Sequence, residues 1–385
     1  MASANSRSLT GVGSATLLSV AALTIMVGCV IVPGLPAIAG NLNIGVSPGW
    51  LVTVPSLGVV LFGPMAAKLM ERLGLRRALL LGLFLYGLLG SAGVALSGTW
   101  VVLADRLLLG GATALIMAGG TGLISEFYSG HARMQMIAKQ GMSIELGGVI
   151  FLFIGGILAT ISWQWPFALY LVAWVLFAMV TLAVPEVPER EGAQESSEPM
   201  AGLSADLKRT YVVAVISMII FFTAVIVLPA KLGSIGYNEA ETGYFLSFVS
   251  LVAVGGAAVL PRLSRSLSEQ KLLALAMLSY AVGHLLFAVA STTPLLVLGA
   301  VFIGVGFGLS VPLVNHATIE HSPDRARSRN LAYLSMAIFS GQFLSAFMEL
   351  IPGDPARVFG AASSMAVACS IGLILNNRGG EQALR

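Results

Sequence analysis

Residues 67–77 read Ala67-Lys68-Leu69-Met70-Glu71-Arg72-Leu73-Gly74-Leu75-Arg76-Arg77, an acid, a glycine and four basic side chains held between two apolar stretches at 50–70 and 78–97. Each stretch has the roughly 20 apolar residues needed to cross a hydrocarbon layer about 30 Å thick. A charged turn between two such stretches is the tip of a hairpin of membrane helices, with the tip in water. Outward from this hairpin the pattern recurs. Further apolar stretches lie near 15–38, 101–125, 139–161, 165–184, 211–231, 241–261, 272–291, 295–318, 331–351 and 357–377, giving twelve crossings in 385 residues.

Composition agrees. Of all residues 57% are hydrophobic and 10% charged, with a mean hydropathy of +0.90, far beyond what a soluble core uses. Twelve spans leave little chain for any extramembrane domain. The 44 glycines suit close helix–helix approach in lipid, where small residues replace the hydrophobic drive to associate. Cys29 and Cys369 lie inside apolar stretches near opposite ends of the chain and read as two free thiols. The run from Ala15 to Ile38 is too long for a signal-peptide core and is read as a retained first span.

With the N-terminus inside, every Lys and Arg falls on the cytoplasmic side except Lys231, Arg357 and the intramembrane Arg106, the bias of the positive-inside rule. Trp50, Trp100, Trp163 and Trp165 then begin even-numbered spans at the outer headgroup level. The net charge of +3 belongs to this inner basic collar, so nucleic-acid binding has no support. Pro185 to Leu207 carries Glu186, Glu189, Glu191, Glu195, Glu198 and Asp206 and reads as a cytoplasmic linker. The expected organisation is a six-helix bundle at 1–184, a linker at 185–210 and a second six-helix bundle at 211–385.

A shift of 194 positions, Lys68 onto Arg262, lays one half on the other. Gly110 falls on Gly304, Leu115 on Leu309 and Gly147 on Gly341. A parallel repeat of two six-helix units follows, with a cavity expected between them at mid-membrane depth.

The loop at 67–77 resembles the loop 2–3 motif of the major facilitator superfamily, G-x-L-a-D-R-x-G-R-R, with Ala67 at the first glycine and Glu71 in place of aspartate. The resemblance implies the twelve-helix fold of that family and a cytoplasmic latch built from Glu71, Arg72, Gly74, Arg76 and Arg77. Arg106-Leu107-Leu108-Leu109-Gly110-Gly111-Ala112 is similar to the family's R-x-x-q-G-x-g motif on its fourth span, which is implicated in proton coupling. Ser162-Trp163-Gln164-Trp165-Pro166-Phe167 resembles its W-R-W-x-F junction. The antiporter motif of the fifth span is only partly present, since Phe151-Leu152 stands at its Gly-Pro position.

A charged group at membrane depth is costly and marks a functional site by default. On that ground Glu145, Arg106 and Asp105 are the expected proton-coupling residues; Glu145 lies roughly 160° around its helix from Gly147 at 100° per residue. A permanent pair of Glu145 with Lys139 or Arg133 is the bland alternative. Pro33-Gly34-Leu35-Pro36 and Pro229 are expected to kink the first and seventh spans. The second half carries Gly304 to Pro312 and Ser340 to Ser345, which resemble the tenth and eleventh helices of drug and metabolite exporters. Met26, Met117, Met142, Phe222, Asn315 and Gln342 are the candidate lining of the cavity, adaptable apolar and amide groups. No metal or cofactor motif is present, and no nucleophile–base constellation indicates an enzyme.

The sequence therefore reads as a secondary transporter that exports a small amphipathic molecule, a drug or a metabolite such as a siderophore or sugar, against entering protons. The alternative is a symporter or facilitator importing a small organic anion or nutrient. The expected setting is a bacterial inner membrane, with a monomer in the lipid bilayer and both termini cytoplasmic.

Overall fold

The computed structural model describes residues 9–186, 203–323 and 326–383, and every regular element among them is helical. Twelve helices are long and apolar enough to cross a membrane: α1 (Gly11–Cys29), α2 (Trp50–Leu73), α3 (Leu75–Ala95), α4 (Thr99–Phe127), α5 (Gly130–Ile161), α6 (Trp165–Ala183), α7 (Ala205–Ser234), α8 (Glu239–Leu263), α9 (Glu269–Val289), α10 (Thr293–Glu320), α11 (Arg329–Leu350) and α12 (Pro355–Leu375). The protein is an all-α, multi-pass membrane protein. Trp50, Trp100, Trp163 and Trp165 lie at or beside the starts of α2, α4 and α6, and the basic loops lie at the opposite ends of these helices.

Local chemistry sets several helix ends differently from the hydropathy pattern. The first stretch is not one helix: α1 stops at Cys29, and a short helix over Leu35–Asn41 follows. Pro33 has no N–H to continue the ladder, while Pro36 sits in the first turn of the short helix, where no donor is needed. Between α2 and α3, Gly74 adopts φ 77°, a left-handed conformation that favours glycine, so the two helices turn within one residue. α5 begins at Gly130, well before residue 139, because its first turns carry His131, Arg133 and Gln135 and so are helical without being apolar. α7 begins inside the segment read as linker: the Ser204 hydroxyl accepts from the Leu207 amide and caps the helix. Residues 187–202 of that segment lie outside the described residues. α8 opens with a reciprocal capping box between Asn238 and Glu241.

The 194-residue repeat is visible in the coordinates. α3 and α9 start at Leu75 and Glu269, and α4 and α10 at Thr99 and Thr293, each pair 194 positions apart. Contacts repeat as well. A Cβ at Gly110 would collide with the Pro55 carbonyl oxygen of α2, and one at Gly304 would stand 2.6 Å from the Val249 carbonyl oxygen of α8, which is the position 194 beyond Pro55. α2 packs on α4 in the first half and α8 on α10 in the second; across the halves the main contacts are α5 with α8 and α2 with α11.

Those seams are tight toward the tryptophan end. The Gly49 amide donates to Glu349 Oε2 at 2.9 Å, and Trp50 packs edge-on against Phe343 and Phe347, with centroids 5.9 and 5.4 Å away. A Cβ on Gly156 of α5 would stand 2.9 Å from the Gly243 Cα of α8, so only glycine permits this backbone approach. The Ser247 hydroxyl donates to the Val149 carbonyl at 3.0 Å. Both of these cross-half hydrogen bonds lie on the tryptophan side of the helix midpoints. Toward the basic end, Gly141 of α5 meets nothing within 4 Å of where its Cβ would project.

Candidate functional site

Glu145 lies on α5 between Gly141, which meets no neighbour within 4 Å of where its Cβ would project, and Val149, whose carbonyl accepts from Ser247 across the seam. At 100° per residue, Gly141, Glu145, Gly148, Val149, Leu152 and Gly156 fall within a sector about 100° wide on α5, and the last four meet α8 through Ser250, Ser247 and Gly243. Measuring from Gly147 pointed elsewhere because Gly147 serves a different contact, against Ala22 of α1. Glu145 is half-buried and makes no hydrogen bond or ion pair among the described residues, including with Lys139 or Arg133. Its carboxylate is within electrostatic reach of the Cys29 thiol on α1 and of Tyr280 on α9. Tyr280 is fully buried and shares a hydrogen bond with Ser310 of α10 at 3.0 Å. One carboxylate thus faces groups from both halves at mid-depth.

Arg106 is placed differently. It is 0% exposed and points into the first half, where Nη1 donates to the Tyr170 hydroxyl at 3.2 Å and that hydroxyl donates to the Val27 carbonyl at 2.8 Å. Its guanidinium lies over Phe167 and Tyr170, 5.2 and 5.6 Å from the ring centroids. Asp105, although adjacent on the helix, approaches Arg106 Nε to 3.7 Å. Nε and Nη2 of Arg106 and Oδ2 of Asp105 have no hydrogen-bond partner. α1, α3, α4 and α6 are pinned together here, with the Tyr86 hydroxyl donating to the Leu23 carbonyl beside the cluster at 2.7 Å. The structure does not bring Arg106 and Asp105 together with Glu145.

Among the described residues, the basic loop at 67–77 makes no ion pair across the halves. Glu71 and Arg72 are exposed, and Glu71 has no ion pair among the described residues. Arg76 donates to the Thr181 carbonyl at 2.8 Å and pairs with Glu186 at 3.5 Å, while Arg77 reaches Glu186 at 3.9 Å. Both arginines therefore tie the start of α3 to the end of α6 within one half. Lys68 and Arg72 line the end of a cavity of about 510 Å³ between α2, α3 and α4, whose walls are otherwise apolar, among them Phe62, Met65 and Leu108.

The candidate lining residues are scattered. Met26 is 0% exposed within the first half's core, and Met117 packs against the cluster around Val59 and Ala114. Met142 is 62% exposed one turn from Glu145. Phe222 is buried beside Phe221, and Phe221 stacks on Phe307 of α10 with centroids 3.9 Å apart. Asn315 spends its amide on the Val311 carbonyl at 2.9 Å; Gln342 is buried in α11. Sequence reasoning missed the seal at the tryptophan end. Trp50 reads in the sequence as one more headgroup anchor, yet it and Glu349 join the start of α2 to α11. Trp100, at 83% exposure, does look outward as expected. No sequence signal separates the two tryptophans, since the difference lies in which helix each one faces.

Two helical halves related by a parallel repeat, in contact at the tryptophan end and along the α5–α8 seam that carries Glu145, define a twelve-helix membrane carrier. The sequence profile of the Major Facilitator Superfamily matches residues 15–346, and the chain belongs to that superfamily; it is a membrane transporter and not an enzyme. It is 23% identical over 304 residues to multidrug resistance protein 1 of Bacillus subtilis (strain 168), covering 74% of this chain and 75% of that one. It is also 23% identical over 335 residues to quinolone resistance protein NorA of Staphylococcus aureus (strain MRSA252), covering 82% and 84%. Its fold matches the inward-open xylose transporter XylE from E. coli at a TM-score of 0.72 and 15% identity, covering 94% and 95% of the two chains. It matches the nucleoside transporter NupG at a TM-score of 0.77 and 13% identity, covering 94% and 99%.

Proposed function

We propose that the protein exports a small amphipathic molecule, drug-like or a metabolite, by proton-coupled alternating access, with Glu145 as the proton carrier. The observation that carries this reading is the position of Glu145: an unpaired carboxylate on the inter-half face of α5, at the level where α5 and α8 part. A carboxylate there can be neutralised by a proton when the seam opens to one side and release it when the seam opens to the other. Residues 1–184 and 211–385 act as the two rocking bodies and 185–210 joins them. The basic end is cytoplasmic by the positive-inside rule, which makes the sealed tryptophan end the external one. Glu71 and Arg72, free of cross-half contacts in this state, close the basic end in the opposite state. The setting is a bacterial plasma membrane, with both termini in the cytoplasm and the chain acting as a monomer.

Export rests on the drug-resistance names of the two relatives. The second reading, uptake of a small organic anion or nutrient, is favoured by one observation: α5 runs unbroken through Phe151 and Leu152, where antiporters of the family carry a Gly-Pro pair. Everted vesicles separate them. With an acid lumen, export predicts accumulation of a fluoroquinolone or a cationic dye inside the vesicles that collapses with a protonophore. No accumulation of any such probe, together with gradient-driven movement of organic anions in the opposite sense, would establish uptake instead.

A further inference from the structure

At the basic end of the second half, Glu269 opens α9 while His316 and Glu320 lie on the last turns of α10. One carboxylate oxygen from each acid and one imidazole nitrogen lie within 4.8 Å of one another. His316 and Glu320 are four residues apart and so share a helix face, and both are exposed; Glu269 is half-buried. Neither carboxylate has a Lys or Arg ion-pair partner among the described residues. Asp206, in the first turn of α7, and His321, just past α10, are within electrostatic reach of Glu269.

The repeat supplies an independent comparison. The positions 194 before Glu269 and His316 are Leu75 and Gly122, and these are neighbours too: a Cβ on Gly122 would stand 2.7 Å from a Leu75 methyl carbon. The first half joins these helix ends with an apolar contact. The second half has put an acid and an imidazole on the same two positions, while the acid one turn on, Glu320, has its counterpart in Glu126 of the first half.

We propose that Glu269, His316 and Glu320 form a binding site for a borderline divalent cation of the Zn²⁺ type, which clips the start of α9 to the end of α10. One imidazole and two carboxylates are a donor set that suits Zn²⁺ or Mn²⁺ over Mg²⁺. Ligand bonds of about 2.0–2.2 Å need the three donors drawn slightly closer than they stand, a movement open to two exposed side chains on rotatable stems. Asp206, His321 or water completes the shell.

The test uses tag-free protein in nanodiscs, stripped with chelator and titrated with Zn²⁺. The expected result is one Zn²⁺ per chain, with affinity at least about tenfold weaker in a Glu269→Gln/Glu320→Gln double variant and unchanged in a His131→Ala control. Both variants should melt at the wild-type temperature without metal. X-ray absorption on the loaded protein should show nitrogen and oxygen ligands. Zn²⁺ binding that is absent in the wild type, persists undiminished in the double variant, or shows sulfur ligation would overturn the site.

Discussion

Two intramembrane charges on neighbouring helices of the first half, Arg106 on α4 and Glu145 on α5, have been given opposite surroundings. Arg106 is enclosed by rings and hydroxyls of its own half, whereas Glu145 is left unpaired on the one face of α5 that meets the other half. On the proposed mechanism, depth in the membrane does not by itself assign transport work to a charge; the side chain must also point into the seam that opens rather than into a rigid bundle.

The comparison breaks most visibly at Arg106. Replacing it with Ala strips the partner from a buried Asp105 and empties the pocket at Tyr170 and Phe167; losing one member of a buried pair costs roughly 3–5 kcal/mol. A large drop in melting temperature in detergent is expected, and a variant that melts with the wild type while losing only pH dependence would place Arg106 in coupling instead. Next comes Gly156→Val, which forces branched carbons against Gly243 and Ala240. Transport should fall more than tenfold by initial-rate measurement, because the sealed end can no longer close, while expression stays near normal. Tyr170→Phe removes a single hydroxyl from the Arg106 cluster and should cost about 1 kcal/mol without altering the pH profile. Glu71→Gln is the mildest, with a few-fold change in rate and unchanged melting, since that carboxylate has no ion pair or hydrogen bond among the described residues.

The fold was legible because bilayer thickness, the basic collar and the 194-residue repeat each leave a mark on composition or spacing. Helix ends were less legible where capping by Ser204 or a break at Pro33 overrode hydropathy. The site was half legible. Glu145 stood out as a charge at depth, but its facing could not be read from Gly147, because α5 carries two glycine faces, one for α1 and one for α8. The environment of Arg106 depends on Tyr170 and Phe167, which lie 64 and 61 positions further along the chain, and no periodicity links them. The pairing of Gly49 and Glu349 spans 300 positions and belongs to the seam between halves, where the repeat predicts symmetry but not partners.

Proteoliposomes bearing wild-type protein or Glu145→Gln, loaded with a fluoroquinolone or a cationic dye, give the most direct reading. The wild type should accumulate the probe when a pH gradient is imposed and should also exchange labelled for unlabelled probe without one. Glu145→Gln should keep the exchange and lose the gradient-driven accumulation. If Glu145→Gln still accumulates probe at the wild-type rate and with the wild-type pH dependence, the carboxylate on the seam is not the proton carrier.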